Sequence, residues 1–75
     1  MENLSELAVR FGRFVSERDE LHVDEIDEET VERVLEEFIK QVLKGRKPSE
    51  EEIEEIKIGL EEGLIDGATV NEMEG

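Results

Sequence analysis

Apolar residues recur along this chain at helical rather than strand spacing, and the clearest run lies in its middle. Val31, Val34, Leu35, Phe38, Ile39, Val42 and Leu43 fall at i, i+3, i+4, i+7, i+8, i+11 and i+12, which winds them onto one broad helical face. Asp27 stands where an N-cap belongs, and Glu28 and Glu29 sit where the helix dipole favours acids. Lys44 suits the negative end, and Gly45 can take the left-handed conformation that stops a helix. Glu29–Arg33 and Glu36–Lys40 add i,i+4 ion pairs in the favourable orientation. The pattern predicts a helix over 28–44.

An earlier face is made by Leu4, Leu7, Ala8, Phe11 and Val15, widened by Phe14, and it predicts a helix over 4–18. Asn3 with Glu6 is a capping-box variant for its start. Gly12 costs such a helix about 1 kcal/mol relative to alanine, so it is expected where another helix approaches closely. Leu21-His22-Val23-Asp24 alternates over too few residues to choose between a loop and a short strand.

Ser49 and Glu52 form a capping box just after Pro48. They open a third helix whose stripe is Ile53, Ile56, Leu60 and Leu64. Gly63 reads as its C-terminal stop, giving a helix over 50–62. Ile58 falls off the stripe. Asp66-Gly67, between apolar residues, is a turn signal. The expectation is an all-α, three-helix domain with a short extended or hairpin-like C-terminal tail. One helical domain would cover 1–70, with 71–75 frayed. The brief connection at 45–49 makes the second and third helices neighbours.

Size and composition qualify this picture. A chain of 75 residues buries only about 60% of its unfolded surface, and without cysteine it has no disulfide to support it. Self-association is the natural remedy. A homodimer is therefore expected, with Ile58, Leu64 and Ile65 as the self-association residues. No apolar run approaches the roughly 20 residues of a membrane span and no signal-peptide pattern stands out, so a soluble, cytoplasmic protein is expected.

Charge is strongly uneven. The net charge is −14, and residues 49–75 carry ten acids against one base, Lys57. Such a surface is repelled by nucleic acid and by anionic membranes, which leaves a basic protein partner or nothing charged at all. The glutamate run reads equally as a solvated face that keeps a small protein soluble. The partner-binding candidates are Glu50, Glu51, Glu54, Glu55, Glu61, Glu62 and Asp66. Lys40, Lys44, Arg46 and Lys47 form one basic cluster, and contact with DNA through it is the alternative reading.

Catalytic chemistry has little to work with. His22 is the only histidine, cysteine, tyrosine and tryptophan are absent, and Ser5, Ser16 and Ser49 lie in no nucleophile motif. Neither a catalytic residue nor a cofactor is expected. Asp24, Glu25, Asp27, Glu28 and Glu29 could attract a divalent cation, but an EF-hand started at Asp19 or Asp24 lacks glycine at its sixth place. They read as a helix-capping run, and no metal site is assigned. Leu60-Glu61-Glu62-Gly63-Leu64-Ile65-Asp66-Gly67 resembles the junction between recognition helix and wing of the winged-helix fold. The helix that would enter the groove carries seven glutamates, so the resemblance implies protein binding rather than base reading. The functional expectation is a non-catalytic acidic interaction module, or a small antitoxin-like or inhibitor-like regulator, that docks a basic protein surface.

Overall fold

The computed structural model describes residues 3–74; residues 1, 2 and 75 lie outside that range. Three α-helices account for most of it: α1 (Leu4–Arg18), α2 (Glu28–Gln41) and α3 (Glu50–Glu74). Each opens on a polar cap where the sequence puts one. The Glu6 amide donates to Asn3 Oδ1 at 2.8 Å and the Thr30 amide to Asp27 Oδ1 at 2.9 Å. At the head of α3 the box is reciprocal: the Glu52 amide donates to Ser49 Oγ (3.2 Å) and the Ser49 amide to Glu52 Oε1 (3.0 Å). These bonds satisfy amides that a helix start leaves without partners.

The helix ends are less conventional. Glu20 takes the left-handed conformation (φ 51°), while the Leu21 amide reaches Ser16 O at 3.0 Å and the Glu20 amide reaches Glu17 O at 3.4 Å. This is a Schellman closure with glutamate where glycine is usual, and it turns Leu21 into the core. The following Val23–Glu25 segment is a 3-10 turn rather than a strand, closed by the His22 amide on the Glu25 carboxylate (3.0 Å). No strand occurs among the described residues. Helix α2 stops at Gln41, before its apolar pattern ends and short of the expected boundary at 44. The Leu43 amide slips to Phe38 O (3.4 Å), and both Lys44 (φ 53°) and Gly45 (φ 84°) are left-handed.

The larger departure is at the C-terminus. Residues 64–74 are neither extended nor a hairpin: α3 continues through Gly63 and Gly67 to Glu74, so 71–74 are helical. Its 25 residues span about 37 Å at 1.5 Å per residue, matching the 37 Å long dimension of the molecule. Gly59, Gly63 and Gly67 recur every fourth residue and form one ridge on the helix. A Cβ on Gly59 would sit 2.8 Å from both Ala8 Cβ and Ser5 O, and one on Gly67 would sit 2.7 Å from Ser16 Cβ. On Gly63 it would collide with Val9 O.

Gly12 contributes from α1, where a Cβ would lie 2.5 Å from Leu60 O. Its expected role as a close-packing glycine agrees with this contact. Gly63 is therefore a spacer for helix packing and not a stop. The order of the contacts, Ser5 and Ala8 on Gly59, Val9 on Gly63 and Ser16 on Gly67, makes α1 and α3 parallel. Helix α2 provides the return crossing and packs against both. Because 60–67 is continuous helix, it has no wing junction.

Fully buried Val15, Val34, Phe38, Ile56, Leu60 and Leu64 fill the space between the three helices. Phe11 meets Phe38 edge-on, with ring centroids 5.5 Å apart. Two polar ties reinforce the parallel pair. Buried Ser16 Oγ donates to Leu64 O at 2.9 Å, and Asn71 Nδ2 donates to Ser16 O (2.9 Å) and Leu21 O (3.0 Å), so α3 caps the end of α1. No buried side-chain polar atom among the described residues lacks a partner.

Two substitutions distinguish spacer from stop. Gly63→Ala should lower unfolding free energy by about 3 kcal/mol or more, because backbone rather than a flexible side chain must move. A C-terminal stop glycine would lose only about 1 kcal/mol. Glu20→Gly should instead raise stability by about 1 kcal/mol, relieving a left-handed non-glycine residue. Urea unfolding of both variants measures the two effects.

Candidate interaction face on the third helix

Packing one face of α3 into the core turns the opposite face outward along its whole length. Glu50, Glu51, Glu54, Glu55, Glu61 and Glu62 are all exposed there, so the fold gathers six of the seven acidic candidates on one accessible surface. Asp66 differs. It lies at the side of α3, half-buried, where its carboxylate pairs with the Arg13 guanidinium of α1 at 3.2 Å.

Ile58 is 66% exposed and Ile65 37% exposed. They stand two turns apart among the glutamates. Leu64 corrects the sequence expectation: it is fully buried in the core and cannot serve as a self-association contact. A single-residue shift along α3 separates it from Ile65, and about 100° of rotation puts the two on different faces.

Beside Ile58 a groove of about 340 Å³ opens between the start of α2 and α3. Ile26, Val31 and Ile58 supply its apolar lining; Asp27, Glu28 and Glu61 supply acids, and Lys57 the single base. Lys57 also reaches Glu32 of α2 at 4.0 Å. Ile26 and Val31 occupy the positions just before the cap and four residues after it, the pair that forms a hydrophobic staple. Ile26 was not singled out from the sequence, although its staple spacing to Val31 was the signal that could have found it.

Other candidates separate from this face. Lys40, Lys44, Arg46 and Lys47 are exposed at the end of α2 and the connection to α3. His22 Nδ1 lies 3.7 Å from Glu72 Oε1, and the same carboxylate oxygen accepts the Val23 amide at 3.2 Å. Of the acids at 24–29, Glu25 holds the 3-10 turn and Asp27 caps α2, while Asp24, Glu28 and Glu29 are exposed. No group of three or more His, Cys, Asp or Glu side chains among the described residues is placed to hold a metal ion. No described helix is long and apolar enough to cross a membrane.

No protein-family model matches the chain, and neither the curated proteins nor the solved structures include a match. The functional reading therefore rests on the surface itself.

Capping also sets a pH dependence. The Thr30 amide holds the Asp27 carboxyl below its usual range, and the Ser49 amide does the same for Glu52. A folded pKa below the unfolded one stabilises above the unfolded pKa and is lost as pH falls through the folded value. Amide side chains can accept the same bonds without titrating. Asp27→Asn, Glu52→Gln should therefore keep a constant stability difference from the parent near neutral pH. Below about pH 4.5 the parent should lose ground to it, measured by urea midpoints across the acid range.

Proposed function

We propose that the chain is a non-catalytic protein-interaction module whose acidic α3 face docks a basic protein surface, in the manner of a small inhibitor or antitoxin-like regulator. The observation that carries this reading is Ile58, two-thirds exposed in the middle of a row of exposed glutamates. Glutamates alone keep a small protein soluble. An exposed isoleucine among them adds apolar surface that solubility does not need, and it gives a partner something to bury once charge has brought it in. The mechanism is occlusion: the module covers a basic active site or a nucleic-acid-binding surface by charge and shape.

A second reading uses Lys40, Lys44, Arg46 and Lys47, all exposed within one short stretch, as a DNA contact of a transcription-associated helical domain. The −14 charge of the whole chain opposes it, since phosphates would be repelled before the basic cluster could engage.

Affinity capture with the intact chain tests the two readings together. A basic protein should be retained at low salt, released by high salt, and lost by the variant Glu54→Lys, Glu55→Lys, Glu61→Lys, Glu62→Lys when circular dichroism shows that variant folded. Retention of the same proteins by parent and variant overturns the acidic-face reading. On heparin near physiological salt the parent should flow through, and retention favours the DNA reading.

A further inference from the structure

We propose that the outer face of α3 is a docking seam for a lysine- or arginine-rich amphipathic helix of another protein. This rests on the interaction-module reading and specifies the partner's form. Ile58 and Ile65 are seven residues apart, about 10.5 Å along the axis and within about 20° of one line around it. A partner helix with an apolar residue every seventh position can meet both at once, as in a coiled-coil seam.

The flanks of that line identify the partner's charge. Glu54 and Glu61 run along one side of the seam and Glu55 and Glu62 along the other, each row about 50° from it by helical rotation; all four are exposed. In helix pairs these flanking rows select partners by charge. A basic helix meets opposite charge on both sides. A second copy of the same face would set glutamate against glutamate on both, so it is disfavoured by the rows that favour a basic helix. The groove lined by Ile26, Val31 and Ile58, with Asp27, Glu28 and Glu61 around it, lies beside the seam. It offers an apolar residue of the incoming helix a place to anchor.

The test uses a synthetic helical peptide of about three heptads, with leucine at the seam positions and lysine on both flanks. Its control has the same composition with the leucines moved off the seam. Fluorescence anisotropy gives affinity for the intact protein, and amide chemical-shift mapping gives the location. The seam peptide should bind about tenfold more tightly than the control, with shifts centred on residues 54–65. Ile58→Asp should remove that advantage while leaving the melting temperature within a few degrees of the parent, since the side chain is exposed.

Equal binding of the two peptides overturns the seam but leaves a basic partner of some other shape. Failure of both to bind at low salt overturns the seam and the interaction-module reading together. A dimer in light scattering that Ile58→Asp dissolves also overturns the inference, because a second copy then occupies the face.

Discussion

Helices α1 and α3 run in parallel so close together that Gly12, Gly59, Gly63 and Gly67 leave no room for a Cβ, the first and third of them against backbone of the facing helix. Glycine inside a helix is unfavourable by about 1 kcal/mol relative to alanine, so three in α3 make a poor helix in isolation. The contact with α1 offsets that cost. Close approach brings many atoms into dispersion range and sets Cα–H groups against carbonyl oxygens such as Val9 O. It also brings Ser16 Oγ to Leu64 O and the Asn71 amide to the end of α1. A chain too short to build a deep apolar core thus gains stability by narrowing the space to be filled.

The same contact dictates the surface. With Gly59, Gly63 and Gly67 facing α1, the helical period sends Glu54, Glu55, Ile58, Glu61, Glu62 and Ile65 to the far side. A helix that stopped at Gly63 would have ended before Ile65, leaving Ile58 an isolated apolar residue. Continuation makes the two isoleucines a pair on one line, bounded by acids. The functional proposal therefore depends on the packing: the ridge that joins α1 and α3 also aligns the face offered to a partner.

Much of this was legible from local chemistry. Asn3, Asp27 and Ser49 announced the three helix starts because capping is decided within four residues, and the bounds of α1 followed directly from its apolar stripe. Gly12 was recognisable as a packing glycine because it interrupts an otherwise strong helical pattern. Gly63 was not, because a glycine followed by a turn-like Asp-Gly pair has the same local appearance whether it stops a helix or spaces one. The distinguishing signal was the four-residue repeat of Gly59, Gly63 and Gly67, matched by Ala8, Gly12 and Ser16 on α1. Leu64, just past that supposed stop, drew two readings, as the end of the apolar stripe and as a self-association contact, and its complete burial agrees with the first. The early end of α2 was hidden for a different reason: Val42 and Leu43 stay half-buried against the core after regular helix has ended.

The most direct test of this account is a nuclear Overhauser measurement across the parallel pair. Strong cross-peaks are expected from the Gly63 Hα protons to Val9 and from the Gly59 Hα protons to the Ala8 methyl, with sequential amide contacts continuing unbroken from Leu60 to Asn71. Absence of the α1–α3 cross-peaks, together with rapid amide exchange beyond Gly63, would contradict the glycine ridge and the continuous helix it supports.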